Sequence, residues 1–120
     1  MKTNQNNLLI IEDNQFIGQK IYNATKKINC IESICISETL QEAFSILKKT
    51  NFKFITLDLR LPDGNGIELL KKLKEEKTET KVLVFSMSTE LKQICLNYGA
   101  FAFFDKATDF DKLINALNIN

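Results

Sequence analysis

Five short apolar runs punctuate this chain, and each is followed by a segment whose apolar residues recur with the period of a helix. The runs are Leu8–Ile11, Ile31–Ile36, Phe52–Leu57, Val82–Phe85 and Phe101–Phe104, rich in the β-branched and aromatic residues that suit a pleated strand. They are nearly continuous rather than alternating, which points to strands covered on both faces, as in a parallel sheet. Between them, Ile17, Ile21, Ala24 and Ile28 step at helical spacing, as do Leu40, Ala43, Phe44 and Leu47, and then Ile67, Leu70 and Leu73. Leu91, Ile94, Cys95 and Tyr98 form a fourth stripe, and Phe110, Leu113, Ile114 and Leu117 a fifth. Expected helix starts carry capping residues: Ser37 or Thr39 with Glu42 closing a capping box, Ser88, and Thr108 with Asp111. Gly99 stands where a helix C-cap belongs. Strand–helix alternation repeated five times predicts an open, doubly wound α/β fold around a five-stranded parallel sheet.

The 120 residues suffice for one domain with a sizeable core. Residues 1–6 are expected to form a flexible tail and residues 7–120 the folded domain. A formal charge of +1 lacks the basic excess of a domain that binds DNA by itself. No apolar run approaches the ~18 residues of a membrane span. Met1 to Asn7 is too polar for a signal peptide, so a soluble cytoplasmic protein is expected. Cys30, Cys35 and Cys95 form no C-x-x-C, and the chain has no histidine, which argues against a zinc site. The cysteines read as small buried apolar residues. The lack of histidine also removes Ser-His and Cys-His catalysis and any phosphohistidine on this chain. Chemistry must rest on carboxylates, hydroxyls and lysines. Lys71, Lys72, Lys74 and Lys77, interleaved with Glu75 and Glu76, read as a solvated helix face.

In open α/β sheets ligands bind beyond the carboxyl ends of the strands. Here run one ends in Glu12-Asp13, run three in Asp58, run four in Ser86 and run five in Asp105-Lys106. Two carboxylates about 4 Å apart repel by roughly 4 kcal/mol at an effective dielectric near 20. Several together require raised pKa values or a cation. Hard oxygen ligands select magnesium or calcium, and few carboxylates with room for water and phosphate suit magnesium. The residues alone therefore predict an acidic, metal-binding pocket with a lysine and a serine beside it.

Those residues also carry a resemblance. Leu8-Leu9-Ile10-Ile11-Glu12-Asp13, Ile55-Thr56-Leu57-Asp58-Leu59-Arg60-Leu61-Pro62-Asp63-Gly64, Gly66, Val82-Leu83-Val84-Phe85-Ser86, Gly99-Ala100 and Lys106 together resemble a response-regulator receiver domain, over residues 7 to 118. The resemblance implies a flavodoxin-like (βα)5 fold with strand order 2-1-3-4-5. It implies a phosphorylation-activated switch, not an enzyme in the ordinary sense. Asp58 would accept a phosphoryl group from a phosphohistidine of a sensor kinase or phosphotransfer protein. Mg²⁺ would be held by Asp13, Asp58 and the backbone carbonyl of Arg60, with Glu12 acting through water. Lys106 would pair with one phosphoryl oxygen and Ser86 would hydrogen-bond another, while Phe103 would change rotamer with phosphorylation. The kinase would dock beside the site on Asn14, Ile17 and Lys20, with Ala107 across the pocket. Phe101, Phe103 and Asp105 share one side of the last strand, where a homodimer partner or target would meet the domain, with Phe101 as an apolar anchor.

The sequence departs from the family in three places: Ala107 stands where a proline usually follows the lysine, Met87 replaces a small residue after the serine, and the switch aromatic is Phe rather than Tyr. Two other readings remain open at this point. A haloacid-dehalogenase-like phosphohydrolase would need an acid two residues after the nucleophile, where this chain has Arg60. A receiver-like module that is never phosphorylated would typically lack an acid, the nucleophile or the lysine, all of which are present.

Overall fold

The computed structural model describes residues 6–118, so the expected tail, except Asn6, and residues 119–120 of the expected domain lie outside it. Five parallel strands, β1 (Asn7–Ile11), β2 (Ser33–Ser37), β3 (Phe54–Leu57), β4 (Lys81–Ser86) and β5 (Ala102–Asp105), form one sheet in the order β2-β1-β3-β4-β5. They alternate with α1 (Gln15–Thr25), α2 (Leu40–Lys49), α3 (Ile67–Glu75), α4 (Lys92–Asn97) and α5 (Phe110–Leu117). The predicted doubly wound fold and its strand order are therefore observed.

Both faces of the sheet are covered, which is why the strands read as continuous apolar runs. Leu9, Ile11, Ile55, Leu57 and Val84 pack with Ala43, Leu70 and Cys95 from α2, α3 and α4. Leu8, Ile10, Phe54, Leu83 and Phe85 pack with Ile21, Leu113 and Leu117 from α1 and α5. β2 is an edge strand, and its middle residues are only half-buried. It starts at Ser33 rather than Ile31, because the Ile31 amide closes a turn on the Ile28 carbonyl instead. Cys95 is buried, while Cys30 and Cys35 are half-buried; burial pushes the Cys35 and Cys95 thiols up, away from the reactive thiolate.

Several local expectations shift by a residue. On α1 the buried position is Thr25 rather than Ala24, since the Thr25 hydroxyl satisfies itself on the Ile21 carbonyl at 2.8 Å. Thr39 caps α2 as expected, but the Glu42 carboxylate accepts from the Glu38 amide instead of closing the box on Thr39. Ser88 precedes a 3-10 turn, Thr89–Leu91, and makes no side-chain cap. Of the fourth stripe, Leu91, Cys95 and Tyr98 pack on the core, whereas Ile94 is 43% exposed, and Cys95 is the one buried side chain of α4. The cap position of α5 falls to Asp109 rather than Thr108. Gly99 does follow α4 with φ +95°, as a C-terminal glycine should.

Thr56, in the middle of β3 between Ile10 and Leu83, is 1% exposed, and its hydroxyl has no hydrogen-bond partner among the described residues. An unpartnered buried polar group is costly, whereas an apolar group of the same shape is not. Thr56→Val should therefore raise the stability by about 1 kcal/mol in a urea melt. A lower midpoint would mean that the hydroxyl finds a partner in solution.

Candidate functional site

The parallel ladders run one residue past the ends of the strands, and those extra residues are the chemical ones. The Glu12 amide donates to the Ser37 carbonyl at 2.9 Å, the Asp58 amide to Ile11 at 3.0 Å, and the Lys106 amide to Ser86 at 3.0 Å. After Asp58 the chain forms a tight hairpin in which Arg60–Leu61 pairs antiparallel with Gly64–Asn65. Gly66 closes it: a side chain there would put Cβ 2.8 Å from the Asp58 carbonyl oxygen.

Glu12, Asp13 and Asp58 offer carboxylate oxygens within 4.8 Å of one another. Lys106 Nζ lies 2.9 Å from Glu12 Oε1 and 3.1 Å from Asp58 Oδ2. Glu12 and Asp58 are buried and Asp13 is exposed, so the group sits at the mouth of an open pocket. Burial pushes the Glu12 carboxyl up to about 7 and the charge of Asp58 adds to this, while the hydrogen bond from Lys106 opposes it. Burial alone would depress the Lys106 ammonium, but Glu12 and Asp58 hold it above its ordinary value. Three carboxylates against one ammonium leave a formal charge of −2 when all are ionised. That residual charge and the all-oxygen donor set fit a hard divalent cation.

The pocket, about 430 Å³, is lined by residues that include Glu12, Asp13, Asp58, Arg60, Ser86 and Lys106, so the structure brings together most of the predicted set. Ser86 Oγ accepts the Ser88 amide at 3.0 Å, which leaves its own proton to donate. The Arg60 amide reaches Asp58 Oδ1 at 3.3 Å. Asp105 does not join: its carboxylate accepts the Ala107 amide at 2.9 Å and shapes the turn after β5. The described residues contain no cis peptide, so Lys106–Ala107 is trans without the family's proline. Phe103 is half-buried against the core on the α4 side, opposite Phe104, as strand alternation requires.

Of the partner-facing residues, Asn14 is already engaged as the N-cap of α1, accepting the Ile17 amide at 3.0 Å. Ile17 is half-buried at the pocket, and Ala107 is exposed. Lys20 Nζ stacks over the Phe110 ring of α5, 4.4 Å from its centroid. Phe101 is 49% exposed, with Lys81 Nζ over its ring, and is not core. Sequence reasoning missed Phe16, which is 79% exposed; its place one step off the Ile17–Ile21 stripe is the signal that could have found it. Met87 lines the pocket rim and is 64% exposed, so it does not fold into the core.

Fold and site together define a doubly wound α/β protein with an acidic pocket at the carboxyl edge of its sheet. The sequence profile of the response regulator receiver domain matches residues 8–118, and the chain belongs to that family, the phosphorylation-driven signalling domains of two-component systems. It is 32% identical over 114 residues to the transcriptional regulatory protein MalR of Bacillus subtilis (strain 168), covering 93% of this chain and 48% of that one. The chain thus spans about half the length of that relative. The Francisella response regulator 1452 receiver domain superposes with a TM-score of 0.84 at 28% identity, covering 95% of this chain and 94% of that one. A Burkholderia pseudomallei response regulator protein with a phosphorylated aspartic acid, calcium ion and citrate shares the fold, with a TM-score of 0.81 at 22% identity, over 94% of this chain and 66% of that one. Among the described residues no helix is long and apolar enough to cross a membrane.

The Glu12 shift has a sign that can be checked. With a folded value of about 7 against an ordinary 4.5, the folded state holds the proton more tightly. The associated stability is present below the ordinary value and is lost as pH rises toward the folded one. In EDTA, Glu12→Gln should gain on the wild type between about pH 5 and about pH 8, read by chemical denaturation at both. Parallel pH profiles would show that Glu12 is not raised.

Proposed function

We propose that Asp58 accepts a phosphoryl group from a phosphohistidine of a sensor kinase or phosphotransfer protein, in a Mg²⁺-dependent reaction that switches the domain's contacts with a partner or output domain. One observation carries this reading: the Asp58 carboxylate opens onto the pocket with the Lys106 ammonium on one oxygen and the Arg60 amide on the other. A carboxylate oxygen of Asp58 attacks phosphorus, the P–N bond to the donor imidazole breaks, and its electron pair stays on the ring nitrogen. Glu12, Asp13, Asp58 and the Arg60 carbonyl would hold the metal, with Glu12 acting through water. When bound, that ion supplies positive charge against the phosphoryl oxygens.

The chain's own groups do the remainder. Lys106 is anchored between two carboxylates before any phosphoryl arrives, so little reorganisation is needed to meet the new charge. Ser86 donates its free proton to a phosphoryl oxygen, and Phe103 moves into the space that Ser86 vacates. The phosphorylated aspartate of the Burkholderia protein supports this chemistry. No substrate is turned over: phosphorylation and its reversal are self-catalysed. The dehalogenase-like reading finds no support, since Arg60, where a general acid is needed, keeps its side chain exposed. The thiols of Cys35 and Cys95 and a phosphohistidine donor suit the cytoplasm. The domain spans residues 7–120 in this reading, and neither nucleic acid nor membrane is its direct ligand.

Kinase docking would use Ile17 at the pocket rim together with exposed Phe16, while Asn14 and Lys20 chiefly hold α1 in place. Phosphorylation-dependent association, with a second copy or a target, would use the β5 side where Phe101 is exposed.

Asp58→Asn removes the nucleophile with almost no change of shape, so it should abolish the phosphate mass shift produced by acetyl phosphate or a kinase with Mg²⁺. Labelling at the wild-type rate would refute the assignment. Phe101→Ser, at a half-exposed position, should change stability by no more than about 0.5 kcal/mol. The same variant should lose association induced by beryllium fluoride; unimpaired association would remove Phe101 from the output surface.

A further inference from the structure

Opposite the phosphoacceptor, the hairpin that follows Asp58 is fastened to a different helix. Asp63 stands at its tip, between the paired residues Arg60–Leu61 and Gly64–Asn65. Asp63 Oδ1 accepts the Leu40 amide at 2.8 Å and Oδ2 the Gln41 amide at 2.9 Å, the first two amides of α2. The next two are satisfied by Thr39, through its hydroxyl to Glu42 at 3.0 Å and its carbonyl to Ala43 at 3.1 Å. The first turn of α2 is thus capped by two separate segments of chain, one of which is the hairpin. Packing reinforces the contact. Leu40 is buried in the same cluster as Leu57, Leu59 and Leu61, and a Cβ on Gly64 would lie 2.9 Å from Leu40 Cδ1. Gly64 also has φ +154°, a conformation that side-chain-bearing residues rarely adopt.

We propose that Asp63 is a positioning residue for the phosphoacceptor site: by tying the hairpin tip to the N-terminus of α2, it fixes the Arg60 peptide that borders Asp58 and offers its carbonyl to the metal. This rests on the phosphoacceptor reading given above. The connection is short, because only the two-rung ladder separates the tip from Arg60, whose amide is held by Asp58 Oδ1. Asp63 lies outside the Glu12, Asp13 and Asp58 cluster, so its effect runs through geometry rather than as a ligand. The two amide bonds also hold its carboxyl below the usual range, so the tether persists as an anion through neutral pH.

The test compares Asp63→Ala with Thr39→Ala, which removes the other side-chain cap of α2 and leaves the hairpin untouched. Mg²⁺ titration, beryllium fluoride binding and amide exchange in the 60–66 segment are measured on wild type and both variants. Both variants should melt earlier, but only Asp63→Ala should weaken Mg²⁺ binding, by about tenfold as for loss of an outer-shell support, and speed exchange in the hairpin. If the alanine variant does not fold, Asp63→Asn, which keeps the size and one carbonyl acceptor, should show a smaller loss of the same kind. Wild-type Mg²⁺ affinity in the Asp63 variant, or an equal loss in Thr39→Ala, would overturn the positioning role alone. A wild-type protein that takes neither Mg²⁺ nor beryllium fluoride would overturn the phosphoacceptor reading and this role with it.

Discussion

The site depends on hydrogen bonds that are not in the site. Glu12, Asp58 and Lys106 each hang by the backbone amide from a carbonyl of the neighbouring strand, one rung beyond the regular ladder. A side chain fixed at its root in this way has only its own torsions left to search, so the sheet does the positioning and the side chains supply charge. Strand order then sets the side-chain lengths that can work. β1 and β3 are adjacent, so short carboxylates on them converge. β5 is two strands from β3, roughly 10 Å at ordinary strand spacing. A long, flexible stem is needed to bring a cation back across β4, and Lys106 spans that gap with Nζ passing 6.0 Å from the Phe85 ring centroid.

Charge follows from the same arrangement. The polypeptide brings three acids together at the mouth of a pocket, and burial makes the ionisation of Glu12 expensive. One internal ammonium offsets part of this and leaves a deficit of positive charge. Repulsion among the carboxylates is thus built in when the sheet forms, and a cation bound at the cluster would relieve it.

Much of this was legible in the sequence because the informative signals were periodic or came in order along the chain. The runs gave five strands because both faces of the sheet are covered, and the acids, serine and lysine fell at successive run ends. What was not legible depended on the third dimension. Asp105 stands at a strand end like Asp58, yet its carboxylate bonds to the local Ala107 amide, and no pattern distinguishes the two. Asn14 looked available for a partner but is the cap of α1, a role its place before the helical stripe could have suggested. Lys20 likewise looked available for a partner, but its ammonium lies over the Phe110 ring of α5. The fourth stripe held at Leu91, Cys95 and Tyr98 but not at Ile94, and the 3-10 turn before it was not foreseen, since propensity alone does not locate such a turn.

The brevity of α4 has a mechanical consequence. The helix has six residues, one buried side chain and a different helical period at its entrance. Its far end is held by the Lys74 ammonium of α3, which donates to the exposed Asn97 carbonyl at 2.9 Å. α3, by comparison, buries three leucines, and its buried contacts make it the stiffer neighbour. Where local opening follows the number of buried contacts, α4 is the helix expected to open first. Among the five helices α4 is therefore the one most lightly anchored to the sheet.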